Sequence, residues 1–197
     1  MLQNLFALLS DFQTKASAYV CIPSKFMVKD LKYYKDCFSS LNTMKKCGKP
    51  APHKALLLLS IIDLIERGVI TDSRIPLSDD LVRQFKRNTS ALLGESKLFQ
   101  PVANYPYYHM KSEPFWQLVA NPNCQIDKIS NYSLPNLGAN IAYARIDEEL
   151  FNLLQNPNVR AKLRVTLITK YLDNQPTLAD NLPLILLTIT YIAPLIA

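Results

Sequence analysis

The chain has 197 residues, 49% hydrophobic and 19% charged, the composition of one sizeable globular domain and not of a disordered chain. Four glycines against thirteen prolines point to helices with stiff connectors and exclude a glycine-rich phosphate loop. The net charge of +6 is unevenly placed: residues 1–54 carry nine Lys, no Arg and three Asp, and the remaining 143 residues balance to zero. Such clustering points to a polyanion, nucleic acid ahead of an anionic membrane surface, or to a solvated lysine face kept for solubility.

Residues 1–20 have the pattern of an amphipathic helix, within a leader over 1–26. No basic stretch precedes its apolar part and no clear cleavage site follows, unlike a signal peptide. The domain proper is expected over 27–172. Asp30 is a ready N-cap for a helix over 31–41, with Leu31, Tyr34, Phe38 and Leu41 on one face and Lys32 and Lys35 off it. A basic loop with Lys45, Lys46 and Lys49 then leads into the most strongly patterned stretch, GKPAPHKALLLLSIIDLIERG, residues 48–68.

In that stretch Pro50 and Pro52 hold the approach extended and pre-set φ for a first helical turn. Nearly every residue from Ala55 to Ile65 is apolar, which predicts a helix buried on most sides. Ser60, Asp63 and Arg67 fall on one polar stripe, and Gly68 suits the left-handed position after the last turn. His53 and Lys54 stand in the first turn, where the helix dipole costs a cation roughly 0.3–1 kcal/mol. With the unpaired N–H groups of that turn they compose an anion site; the alternative is a lysine that bends into solvent.

Beyond Gly68, VITDSRIPL reads as a short extended piece. Ser78 caps a helix that opens with Asp79 and Asp80, keeps Leu81, Val82 and Phe85 inward, and turns Arg83, Lys86 and Arg87 outward. YPYYHM (105–110) and FWQLV (115–119) are rich in β-formers and predict a hairpin or two-strand corner joined by KSEP, irregular at Pro106. Three tyrosines, a His and a Pro in six residues compose either a binding wall or an aromatic hairpin packed on helices. Residues 121–145 read as a long polar surface loop. Asp147 starts a short helix, and Asn156–Pro157 start another with Val159, Leu163 and Leu167 inward and Arg160, Lys162 and Arg164 more exposed. The apolar tail over 173–197 is short and proline-interrupted for a membrane span; it reads as a buried terminus or as the place where a further domain would follow. The fold class expected is mainly α (α+β), a compact helical domain with a small β-hairpin and a long surface loop.

Catalytic chemistry is not legible. His53 and His109 are the only histidines and lie in no HNH-like, HExxH or nucleophile-elbow context. Cys21, Cys37, Cys47 and Cys124 show neither a CxxC pair nor a histidine at zinc-finger spacing, so they read as reduced thiols in a cytoplasmic protein. No metal, cofactor or small-molecule substrate is expected.

Taken together, KPAPHKALLLLSIIDLIERGVI, RIPLSDDL, YPYYHMKSEPFWQL and ARIDEELFNLLQNPNVRAKL resemble the sulfur-binding domain of phosphorothioate-dependent, McrA-like HNH restriction endonucleases. The resemblance spans about Asp30 to Leu172. It implies a mostly helical domain that recognises double-stranded DNA in which sulfur replaces one non-bridging phosphate oxygen. It maps the family's Pro-His-(Lys/Arg) helix start onto Pro52, His53 and Lys54, and its Tyr-Pro wall onto Tyr105 and Pro106, with Tyr107 beside them and His109 three residues further on. It implies a further arginine after the hairpin, where the first in this chain is Arg145, and a turn that here is Glu113–Pro114 instead of Asp-Gly. The sequence stops before any HNH motif, so the expectation is binding without cutting, within or beside a type IV restriction nuclease that works in defence, with a separate nuclease subunit as partner.

Elementary chemistry agrees with that reading. Sulfur is larger, softer and a weaker hydrogen-bond acceptor than oxygen, and an apolar wall penalises an unpaired oxygen placed against it. Lys32, Lys35, Lys45, Lys46 and Lys49 would supply sequence-independent contacts to the phosphate backbone. Two other readings stay open: a general or modified-base DNA-binding module with an aromatic stacking surface, and a non-catalytic protein or membrane interaction domain.

Overall fold

A computed structural model describes residues 29–46, 49–94 and 102–172. The expected leader over 1–26 and tail over 173–197 lie outside the described residues, as do Cys21 and Cys47. Asp30 accepts the Tyr33 N–H at 2.8 Å and so caps α1, Leu31–Ser39, whose Tyr34 and Phe38 are buried. Two short strands follow, β1 at Lys45–Lys46 and β2 at Lys49–Pro50, paired antiparallel with Lys45 opposite Pro50.

The central helix α2 spans His53–Glu66, with Pro52 at its N-cap. Every residue from Lys54 to Ile65 except Asp63 is buried. Each buried Leu or Ile is worth about 1.5–3 kcal/mol relative to exposure, so α2 is the main source of core stability. Its end is a Schellman motif: Gly68 N–H donates to the Ile65 carbonyl at 3.0 Å and Val69 N–H to the Leu64 carbonyl at 2.9 Å. Gly68 has φ +68°, which only glycine adopts freely.

Two helices flank α2. α3, Asp79–Leu93, is capped by Ser78 and buries Leu81, Phe85 and Leu93, with Arg83, Lys86 and Arg87 exposed as expected. α6, Glu148–Leu154, leads into α7, Pro157–Tyr171, which packs on both α1 and α2. The polar stripe of α2 meets these partners. Asp63 accepts from Gln84 at 2.9 Å, Asn88 at 2.7 Å and Arg164 at 2.6 Å. Arg164 also reaches Glu66 at 2.6 Å, and its bonds to two carboxylates hold its guanidinium above the usual range despite burial. Arg160 is buried instead of exposed; it donates to the Leu154 and Gln155 carbonyls at 2.8 and 3.0 Å, closing the C-terminus of α6. Of the three α7 cations expected outward, Lys162 is exposed, Arg164 half-buried and Arg160 buried.

The β-structure departs from the sequence expectation. Asn104–His109 is a short helix, α4, continued by a 3-10 turn over Met110–Ser112. Pro106 is its third residue, where the missing N–H has no intrahelical acceptor to lose. Trp116–Ala120 is a strand, β4, as expected, but it pairs with β5, Ile141–Ile146. β5 and the helix α5, Leu134–Asn140, both come from the segment read as a surface loop. β3, Arg74–Ile75, pairs with β5 on its other edge, giving an antiparallel sheet of order β3–β5–β4. The architecture is an α+β domain in which helices dominate and one small sheet closes the side next to α4.

Candidate nucleic-acid interface

The helical form of α4 decides which of its aromatics face outward. Tyr105 and His109 are four residues apart and share one face. Tyr107 points the other way: it is fully buried, its hydroxyl donates to the Ile75 carbonyl at 2.7 Å, and its ring meets Trp116 edge-on at 5.5 Å. Burial pushes its phenol up. Tyr107 therefore belongs to the core and leaves the set of expected site residues. Tyr108 is buried as well, donating to the Ile126 carbonyl at 3.0 Å.

The outward face of α4, the start of α2 and the chain before β1 enclose a cleft of about 570 Å³. His53, Lys54, Tyr105, Pro106 and His109 all line it, with Val102, Met44 and Ala51 adding apolar surface. Residues separated by more than fifty positions in sequence thus converge. Pro52 is buried at the α2 N-cap and is not among the residues lining the cleft. Tyr105 is 54% exposed at the mouth, and Met44, held by the Ala51 N–H to Met44 carbonyl bond of 2.7 Å, is 84% exposed on the opposite rim.

Lys54 neither bends into solvent nor stands as a bare cation. It is buried and pairs with Glu113 at 2.5 Å, with a second bond to Ser112 Oγ at 2.7 Å. Glu113 Oε1 also accepts the Asn42 N–H at 3.0 Å. One buried pair therefore ties α2, the end of the 3-10 turn and the segment before β1 into the floor of the cleft. The acid of this pair comes from the KSEP turn.

His109 is pushed below its ordinary pKa by burial, by Lys54 and by Lys111. Its imidazole is neutral near pH 7 and both donates and accepts. Tyr132 supports this wall: its ring lies 5.8 Å from that of Tyr105, 5.2 Å from that of His109 and 4.7 Å from that of Tyr108. The Asn104 side-chain amide donates to the Tyr132 carbonyl. Nothing in the local sequence marks Tyr132, which lies in the segment read as a loop.

The lysines divide into two groups. Lys45, Lys46 and Lys49 lie on β1 and β2, directly after the rim residue Met44, and Lys45 is exposed. Lys111 lines the cleft and donates to the Tyr108 hydroxyl at 2.9 Å, which holds its ammonium above the usual range. Lys32 and Lys35 are exposed on α1 and do not line the cleft; Lys32 pairs with Asp36 at 2.9 Å. Arg145 is exposed on β5, donates to the Tyr143 hydroxyl at 3.1 Å and is not among the residues lining the cleft. Among the described residues no three His, Cys, Asp or Glu side chains group to hold a metal, and no helix is long and apolar enough to cross a membrane. Cys37 and Cys124 are free thiols.

No protein-family model matches the chain, and no curated protein matches it in sequence. A solved structure does match: the sulfur binding domain of SprMcrA complexed with phosphorothioated DNA, at a TM-score of 0.54. The alignment covers 75% of this chain and 89% of that one, with 13% identity. The fold is shared.

Proposed function

We propose that the protein is a DNA-binding module whose cleft receives a phosphorothioate of double-stranded DNA. The observation that carries this reading is the convergence of Tyr105, Pro106 and His109 on one side and His53 on the other, over a floor neutralised by the Lys54–Glu113 pair. The sulfur would rest on the Pro106 ring and the Tyr105 face. An oxygen in the same place would lose its water and gain no partner, at roughly 2–7 kcal/mol for an unpaired polar group. The remaining non-bridging oxygen would meet His53, the positive end of the α2 dipole and neutral His109. A floor without net charge gives phosphate no attraction that thiophosphate lacks. The lysines of β1 and β2, with Lys111, would hold the flanking phosphates and make binding steeply salt-dependent.

The likeness in fold to a domain solved with phosphorothioated DNA supports this reading. We place such a reader in a type IV restriction system in the cytoplasm, where an HNH nuclease domain or subunit would do the cutting. A second reading, a general or modified-base DNA module, draws on the exposed Met44 and Tyr105, which could stack on or wedge between bases. A paired titration of one duplex with and without a single phosphorothioate separates the two. A preference for sulfur of tenfold or more is expected; equal affinities would leave the general module.

A further inference from the structure

Two lysines line the cleft among the described residues, and they stand in it differently. Lys111 is exposed and rests its ammonium on the Tyr108 hydroxyl at 2.9 Å. Lys54 is 7% exposed, and two of its three N–H donors are taken, by Glu113 Oε1 at 2.5 Å and Ser112 Oγ at 2.7 Å. Glu113 is 6% exposed, accepts the Asn42 N–H at 3.0 Å as well, and is not among the lining residues. The turn after α4 thus sets a buried carboxylate against a lysine that reaches the cleft.

Neither simple role accounts for that arrangement. A pair kept for stability alone is a weak choice, since apolar side chains of similar volume often do as well in a buried position. A lysine kept to grip phosphate is poorly served by a carboxylate that occupies its donors and repels the same phosphate. The two groups make sense together if the ammonium has to be masked. An ammonium bonds an oxygen anion strongly, and sulfur, the weaker acceptor, less so. A free Lys54 would therefore reward phosphate over thiophosphate and work against the wall of Pro106 and Tyr105.

We propose that Glu113 is a specificity-determining residue of the cleft. By holding the Lys54 ammonium it denies a phosphate oxygen a charge-assisted hydrogen bond, and it leaves the apolar wall to decide between sulfur and oxygen. Glu113 touches no ligand and acts through Lys54, so its role is one of positioning. The proposal rests on the phosphorothioate reading of the cleft and names the residue that protects its selectivity.

The test is to titrate the full chain, Glu113→Gln and Lys54→Met/Glu113→Gln on duplexes with and without a single phosphorothioate, well below each unfolding midpoint. Glutamine keeps an acceptor for the Asn42 N–H and removes the charge. Freed, Lys54 should raise affinity for the oxygen duplex by roughly ten- to 100-fold, the worth of one hydrogen bond to a charged group, and for the sulfur duplex by less. The ratio of sulfur to oxygen affinity should fall, and the slope of log affinity against log salt should steepen by about 0.9. Adding Lys54→Met should cancel both the gain and the extra slope, which loss of a merely structural contact would not do. Glu113→Asp, with its charge one methylene further back, should show a smaller gain in the same direction, and it carries the test if the glutamine variant does not fold. An affinity for the oxygen duplex that stays level or drops, or a gain that survives the loss of Lys54, overturns the proposal. A gain cancelled by Lys54→Met in a protein with no preference for sulfur would sink the phosphorothioate reading and leave Glu113 as the mask of Lys54.

Discussion

The two ends of α2 carry polar residues in similar numbers and use them in opposite ways. At the C-terminal end Asp63 and Glu66 are closed into a network with Gln84, Asn88, Arg160 and Arg164, packed between three helices. At the N-terminal end Lys54 is equally well paired, but its partner Glu113 sits under an open cleft walled by His53, Pro106 and His109. The comparison teaches that satisfied charges do not distinguish a structural site from a binding one. The space in front of them does.

Breaking either end should therefore cost stability, and only one should cost recognition. Lys54→Met leaves Glu113 buried without its cation, a loss of about 3–5 kcal/mol in denaturant unfolding. Pairing it with Glu113→Gln should return a good part of that loss, because the unpaired charge is gone. Asp63→Ala removes the acceptor that Gln84, Asn88 and Arg164 share, leaving Arg164 only Glu66, and should destabilise by about 1–3 kcal/mol. Its affinity for DNA, measured well below its unfolding midpoint, should stay at the wild-type value.

Pro106→Ser sharpens the contrast from the cleft side. It places a polar group where the sulfur would rest, and should lower the ratio of sulfur to oxygen affinity several-fold with little change on unmodified duplex. Equal losses on both duplexes would argue against the apolar wall. Lys45→Ala removes one expected phosphate contact from β1. The slope of log affinity against log salt should become shallower by about 0.9, alike for both duplexes.

The smallest effect expected is that of pH. His109 in the folded chain is held below its ordinary value of about 6.5. Between the two values the unfolded chain takes up more protons, so stability is present above about 6.5 and falls as pH drops through the folded value. A bound phosphate anion works in the other direction, since it favours the imidazolium. Affinity for either duplex should rise as pH is lowered from 8 to 6, and His109→Asn should flatten that rise.

How much of this was legible in the chain follows from the range of the signals. The α2 pattern, the Asp30 and Ser78 caps and the stop at Gly68 depend on neighbours a few residues away, and each is found where expected. α4 departs from the strand expectation because tyrosines favour strands when judged singly, while packing of Tyr107 against the sheet and of Tyr108 against Ile126 and Tyr132 turns the same residues into a helix. That one change moved Tyr107 out of the site and set Tyr105 and His109 side by side. Glu113 and Tyr132 were missed for a different reason: their partners lie 59 and 23 to 27 residues away, at distances no local pattern encodes. Arg160 and Arg164 looked solvent-facing by helical spacing and are held inward by acceptors on other elements.

The central claim, that the open end of α2 is where modified DNA enters, is tested most directly by aromatic NMR of His53, Tyr105 and His109 during addition of each duplex. The account predicts large shifts of these three signals with the phosphorothioate duplex, smaller ones with its oxygen counterpart, and an undisturbed Tyr107. Shifts of equal size with both duplexes, or shifts centred on α1 with these three signals unmoved, would contradict it.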